Sequence, residues 1–329
     1  MMYNADNNRY EKMMYRRCGK SGLKLPFVSL GLWYNFGNRE SFENMGKMLT
    51  TAFDHGITHF DIANNYGPPA GSAEENFGRI MKKDLSQYRD QLIISSKAGY
   101  GMWEGPYGDF GSRKYLMASI DQSLKRTGLE YFDIFYSHRP DPETPIEETM
   151  GALADIVKQG KALYVGISNY NPEQTKAAVR ELDRHGVHCL IHQHSYSMFN
   201  RTSDKGLFDV LDENGVGSIA FSPLAQGQLT SRYIEGIPSD SRISKGYYLR
   251  KEDITEEKLR KIKALDNLAK ARGLTLAQLA LLWVMRRPEM TSVLIGASKV
   301  EQIIENAAIA FLPPLSSEEI NEIESILGA

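Results

Sequence analysis

The sequence predicts a single (β/α)8 TIM barrel, an α/β fold, on three observations. Eight short apolar runs of strand length alternate with helical patterns along all 329 residues. The runs are continuous rather than alternating, as expected of parallel strands covered on both faces. No Pro/Gly/Ser linker or shift in composition divides the chain, and a barrel of about 250 residues leaves room for extra elements. The competing architecture is a doubly wound sheet, which usually carries GxGxxG after its first strand. The nearest match, Gly99-Tyr100-Gly101-Met102-Trp103-Glu104, lacks the last glycine and runs into Pro106, so it reads as a loop.

Residues 1–13 read as an N-terminal tail and 14–329 as one domain. The domain opens with a hairpin over 14–26, turning at Gly19-Lys20-Ser21-Gly22. Barrel strands are expected at 28–33, 58–63, 92–98, 132–138, 162–168, 190–196, 217–223 and 292–297. Helices are expected at 41–55 and 112–127, each opened by a capping Ser, and at 72–83, where Ser72 and Glu75 form a capping-box pattern. Further helices are expected at 146–159, at 172–185 with Pro in its first turn, at 206–214 and at 276–287, whose Trp283 reads as core. The extras are the hairpin, C-terminal helices at 255–272 and 316–327, and an insertion at 224–254. That insertion is rich in Gly, Ser and Arg and suits a flap over a ligand.

Composition narrows the function. A net charge of −2 offers no basic excess for nucleic acid or an anionic membrane. Cys18 and Cys189 form no CxxC, which argues against a disulfide framework or a metal site. No run of eighteen apolar residues is present, and the polar N-terminus lacks an apolar signal core, so a cytoplasmic protein is expected. The sequon Asn200-Arg201-Thr202 carries no meaning without a secretory signal.

The chemistry concentrates at strand ends. Asp61 lies near the end of the second strand, Tyr66 in the loop beyond, Lys97 at the end of the third and His138 at the end of the fourth. In a barrel these ends open on one face. Reducing a carbonyl requires hydride at carbon and a proton at oxygen. A free Tyr has a pKa of about 10. An ammonium at ~4 Å, at an effective dielectric of about 20, interacts by ~4 kcal/mol, roughly three pK units. Tyr66 is therefore expected as general acid with its pKa lowered by Lys97, Asp61 as the group holding Lys97, and His138 as the orienting donor. Singly, each has a structural reading: a turn Asp, a solvated Lys, a satisfied His. Their joint placement favours chemistry.

The segments Phe60-Asp61-Ile62-Ala63-Asn64-Asn65-Tyr66-Gly67, Ser95-Ser96-Lys97, Ile134-Phe135-Tyr136-Ser137-His138, Val165-Gly166-Ile167-Ser168-Asn169 and Gly296-Ala297-Ser298 resemble the aldo-keto reductase superfamily over nearly the whole chain. Within it, the chain resembles the branch holding potassium-channel β-subunits and bacterial L-glyceraldehyde 3-phosphate reductases, and Asn64 to Asn76 and Met102 to Gly108 resemble the bacterial group especially. The resemblance implies the tetrad roles above and an NADP(H) cofactor bound without a Rossmann motif. It implies Ser168, Asn169 and Gln193 on the nicotinamide amide and Phe221 stacked on the ring, with Trp33 and Asp61 also in the cofactor site. It further implies Ser222, Leu224, Gln226 and Gly227 along the pyrophosphate, and Ser298, Lys299, Gln302, Glu305 and Asn306 around the 2′-phosphate and adenine. Ser298 also precedes a helical pattern with Glu301 three residues on, which reads either as a phosphate site at a helix N-terminus or as an ordinary capping box. The family commonly has Thr where this chain has Ile62, a position expected to point into the barrel.

Substrate is less determined. Trp33, Tyr34, Trp103 and Tyr107 either wall a pocket for a small carbonyl or simply pack, and Arg113 and Arg139 either pair a substrate phosphate or cover the surface. The resemblance implies L-glyceraldehyde 3-phosphate, with methylglyoxal and other small aldehydes as the fallback, and assembly into tetramers or larger rings. The alternative function is a cofactor-binding regulatory subunit, of a channel-like or redox-sensing assembly, with little turnover.

Overall fold

The computed structural model describes residues 3–233 and 255–328. Two short strands, β1 (Tyr15–Arg17) and β2 (Lys24–Pro26), form an antiparallel hairpin. Eight parallel strands then close into a barrel: β3 (Val28–Gly31), β4 (His59–Asp61), β5 (Ile93–Ala98), β6 (Phe132–Ser137), β7 (Ala162–Ser168), β8 (Cys189–Ser195), β9 (Gly217–Phe221) and β10 (Met290–Ile295). The order is sequential, with β10 pairing β3 to close the ring. Expected and observed strands agree to within a few residues at their ends, where loops take over the last apolar positions.

The helices lie in the connections: α1 (Phe42–Asp54), α2 (Ser72–Ile80), α3 (Arg113–Thr127), α4 (Ile146–Lys158), α5 (Pro172–Arg184), α6 (Leu207–Glu213), α7 (Glu256–Ala271), α8 (Leu276–Met285), α9 (Val300–Ala307) and α10 (Ser317–Leu327). Ser41, Ser112, Thr255 and Ser316 cap α1, α3, α7 and α10 by accepting from a first-turn N–H. Asn171 and Thr275 complete full capping boxes on α5 and α8. Two expectations change. Ser72 is not a cap: Gly71 takes that position at φ +88, and Ser72 Oγ instead donates to Pro69 O at 2.6 Å. The helix also stops at Ile80 and passes into a π-helical turn, Met81–Leu85. Among the described residues no single helix is long and apolar enough to cross a membrane. Of the expected flap at 224–254, residues 234–254 lie outside the described residues.

The large core fills the layer between strands and helices. Trp283 sits there fully buried, stacked on Tyr196 at 5.3 Å. Ile62 joins this layer rather than the barrel interior, because strand alternation turns Asp61 inward and its neighbour out. The interior is divided in kind. One side is apolar, with Ile134, Tyr136, Ile191, Ile219 and Leu294, and the hairpin closes its lower mouth with Cys18 and Leu25. Gly19 approaches so closely that a Cβ would lie 2.1 Å from Gly215 O, and its φ of +52 also favours glycine. The other side is polar: Ser29, His59, Asp61, Ser95, Lys97 and Ser292, all fully buried.

Candidate active site

The strand ends bring the four chemical residues together. Lys97 Nζ donates to Asp61 Oδ2 at 2.5 Å and to Ile62 O at 2.8 Å, and both side chains of the ion pair are fully buried. Asp61 Oδ1 also accepts from Ser95 Oγ at 2.6 Å and from Gln193 Nε2 at 3.2 Å. So satisfied, the pair can stay charged in the interior. Lys97 Nζ lies 5.1 Å from the centre of the Tyr66 ring and 5.7 Å from that of Tyr136. Tyr66 is half-buried, and its ring meets that of His138 edge-on at 5.9 Å.

The electrostatics differ from expectation in one respect. Burial raises the Tyr66 pKa well above its usual value, and Asp61 and Tyr100 add to the rise. The Lys97 ammonium, 5.1 Å from the ring centre and hydrogen-bonded to Asp61 and Ile62 O, does not offset that rise. Tyr66 is thus a protonated phenol at neutral pH, the state a proton donor requires. Burial also lowers the Lys97 pKa, against the opposing pull of Asp61. His138 is driven well below its ordinary value by burial, with Lys97 and Arg139 adding to the shift, so its ring is neutral. Its Nδ1 is buried without a hydrogen-bond partner among the described residues. Tyr100 packs edge-on against it at 4.7 Å.

Around this centre, Asn169 stands at the end of β7 with φ +64 and donates to His138 O at 3.0 Å and Ser168 Oγ at 3.2 Å. Gln193, expected at an amide ligand, is turned onto Asp61. After Phe221 the chain takes left-handed conformations at Ser222, Ala225, Gln226 and Gly227, with Leu224 between them. The Gln226 side-chain oxygen there is buried and has no hydrogen-bond partner among the described residues. Beyond β10, Ser298 N and Oγ both donate to Gln302 Oε1, at 2.8 and 3.3 Å. The N-cap of α9 is Lys299, so the Ser298–Glu301 capping box does not form. Lys299 is exposed, Asn306 buried, and Glu305 O accepts from Gln278 on α8.

The residues considered for substrate divide. Trp33 packs against Tyr66 at 6.4 Å and against Tyr34 at 5.9 Å, so one indole touches two phenols at the tetrad. Trp103 packs on Tyr115 at 5.0 Å, and Tyr107 is exposed with Lys114 over its ring. Arg113 is drawn to α4, where it pairs with Asp155 at 2.7 Å rather than with a member of the tetrad. Arg139 follows His138, stacks on Tyr100 and Phe110, and donates to Gly99 O at 2.6 Å and Asp109 Oδ1 at 2.8 Å. The sequence reading missed Ser95, His59 and Tyr100. The first two carry a signal in hindsight: each lies two residues before a tetrad member on a strand, and so on the same face. Among the described residues no group of three or more His, Cys, Asp or Glu is placed to hold a metal.

A closed parallel (β/α)8 barrel with a buried Lys–Asp pair, a Tyr and a His at the C-terminal mouth defines an α/β-barrel enzyme. The chain belongs to the aldo/keto reductase family, whose model matches residues 28–328. It is 55% identical over 329 residues, 98% of this chain and 95% of the relative, to an L-glyceraldehyde 3-phosphate reductase of Escherichia coli K12. It is 37% identical over 96% of its length, and 97% of the relative, to a probable voltage-gated potassium channel subunit beta of Arabidopsis thaliana. A crystal structure of a thermostable aldo-keto reductase with the inhibitor epalrestat superimposes with a TM-score of 0.76 at 28% identity, covering 95% of this chain and all of that one. Enzymes of this family are oxidoreductases that generally use nicotinamide cofactors on small carbonyl substrates.

Proposed function

We propose that this chain is an NADPH-dependent reductase of small aldehydes, with L-glyceraldehyde 3-phosphate as its principal substrate and methylglyoxal as a lesser one. The observation that carries the reading is the Tyr66 ring, whose centre lies 5.1 Å from the Nζ of a buried Lys97 that is itself fixed by Asp61. The cofactor, when bound, supplies hydride to the carbonyl carbon. Tyr66 gives its hydroxyl proton to the carbonyl oxygen, and the Lys97 ammonium stabilises the phenolate left behind. Neutral His138 orients the oxygen by a hydrogen bond, while Trp33 and Tyr34 exclude water from the reacting face.

The chain's own atoms suit a phosphorylated dinucleotide. Ser168, Asn169 and the side-chain oxygen of Gln193, whose Nε2 stays on Asp61, are assigned to its amide end and Phe221 to the ring face. The stretch Ser222, Leu224, Gln226 and Gly227, left-handed at all but Leu224, suits a diphosphate, since such turns form anion-binding hollows and the Gln226 side-chain oxygen has no partner among the described residues. Ser298, Lys299, Gln302, Glu305 and Asn306 at the start of α9 are assigned to the 2′-phosphate and adenine. Arg139 is assigned to the substrate phosphate, exchanging Asp109 for it. Arg113 is left out of this assignment because it pairs with Asp155.

Initial rates of NADPH oxidation with L- and D-glyceraldehyde 3-phosphate, glyceraldehyde and methylglyoxal test the reading. The expected result is a kcat/KM for the L-phosphate at least ~100-fold above that for glyceraldehyde, worth ~2.7 kcal/mol in the transition state. Uniformly slow turnover of all four favours the second reading, a cofactor-binding subunit, which the likeness to plant channel subunits supports. Assembly into a tetramer or larger ring, and residence in the cytoplasm, belong to the same proposal, and light scattering tests the assembly.

A further inference from the structure

The polar side of the barrel interior continues below Asp61 as a hydrogen-bonded chain that the proposed reaction does not use. Ser95 Oγ donates to Asp61 Oδ1 at 2.6 Å. His59 Nε2 lies 3.0 Å from Ser95 Oγ, and His59 Nδ1 lies 2.9 Å from Ser29 Oγ. Ser29 Oγ lies 2.7 Å from Ser292 Oγ. All five side chains are fully buried, out of reach of bulk solvent.

Donor arithmetic gives the chain a direction. Asp61, a carboxylate facing Lys97, only accepts. Ser95 has one hydroxyl proton and gives it to Asp61, so its oxygen accepts from His59, which places the ring proton on Nε2. The charged groups facing His59 are Asp61 and Lys97, with opposite effects, and burial outweighs both, leaving the ring neutral with a pKa of about 4. Nδ1 is then an acceptor and takes the Ser29 proton, and Ser29 accepts from Ser292. Every proton in the chain points toward Asp61.

We propose that His59 is a positioning residue for the reduction: held as the Nε2–H tautomer by Ser29 and Ser292, it fixes the Ser95 hydroxyl on Asp61 and so keeps that carboxylate aimed at Lys97. The kinetic part of this rests on the proposed function; the proton order does not. A structural filler at position 59 calls for no hydroxyl on either ring nitrogen, whereas here both nitrogens meet one and the chain ends on the carboxylate that holds the catalytic Lys.

Two measurements test it on the full chain. Nitrogen-15 NMR of protein labelled at its seven histidines, with His59→Gln to assign the signal, is expected to show a protonated Nε2 and a bare Nδ1 at pH 7. A bare Nε2 or a cationic ring overturns the proton order. In steady-state kinetics Ser95→Ala is expected to lower kcat about tenfold, ~1.4 kcal/mol in the barrier, with cofactor KM unchanged. His59→Leu is expected to do the same, and the double variant to be no slower than either, since the two act through one chain. Unchanged kcat in folded Ser95→Ala, or additive losses in the double variant, overturns the positioning role. A wild-type chain that turns over no aldehyde removes the proposed function and the kinetic role together, and the proton order is then decided by the NMR alone.

Discussion

Tyr66, Lys97, Asp61 and His138 were found in the sequence because their chemistry is unusual at four strand-end positions, but the state of Tyr66 was not. Charge proximity predicted a lowered pKa, and burial produced a raised one. Desolvation depends on the packing of Trp33, Tyr100 and His138 around the phenol, which no spacing in the chain encodes. Tyr66→Phe is expected to cut turnover by roughly 10²- to 10⁴-fold while cofactor binding, followed by fluorescence, stays near wild type. Wild-type turnover in that variant removes Tyr66 as the acid. Lys299→Ala is expected to weaken NADPH binding about tenfold or more and leave NADH nearly unaffected, because in the proposed assignment only the 2′-phosphate loses a charge-assisted partner. An unchanged preference between the two cofactors moves the phosphate site elsewhere.

Two helical glycines that look alike in sequence have opposite consequences. Gly46 in α1 faces open space, where a Cβ meets nothing within 4 Å. Gly78 in α2 is pressed on α3, where a Cβ would lie 2.4 Å from Thr127 O. Gly46→Ala is expected to stabilise the protein by about 0.5–1 kcal/mol, through the lower entropy of the unfolded chain. Gly78→Ala is expected to destabilise it by ~1–3 kcal/mol or more, since backbone must move. Chemical denaturation of both variants checks the pair, and equal signs contradict the packing described. The same local context governs the caps. Ser41, Ser112 and Ser316 behave as a capping residue should, while Ser72 is pulled into the Pro69 turn and Ser298 is claimed by Gln302. In both exceptions a tertiary or turn partner outcompetes the first-turn N–H.

The whole molecule buries several neutral histidines, and this sets its response to acid. His59 and His192 are held by burial near pKa 4, below the ordinary 6.5. The folded state then binds fewer protons than the unfolded chain between those values. Stability is therefore full above about pH 6.5 and is lost as pH falls toward 4, by on the order of 3 kcal/mol for each group at the limit. His194 and His138 are lowered further by the same cause and act in the same direction. Urea unfolding at steps from pH 7.5 to 4.5 is expected to show a falling midpoint, and a flat profile means that these rings are charged or hydrated in the fold. The effect should survive in Tyr66→Phe, because it does not depend on catalysis.

The sequence by itself determined the barrel, its strand order and the end at which the chemistry gathers. Eight apolar runs separated by helical patterns leave the chain few other ways to cover both faces of a parallel sheet. It also determined which four residues meet, since each closes a strand or opens the loop beyond it. Only the tertiary structure decided how those residues are charged and held. Ile62 turns outward, Gln193 turns onto Asp61, Arg113 leaves for Asp155, and His59 joins Ser29 and Ser95 across three strands. Each of these outcomes depends on partners distant in sequence and on the exclusion of water, so it exists only once the barrel has closed.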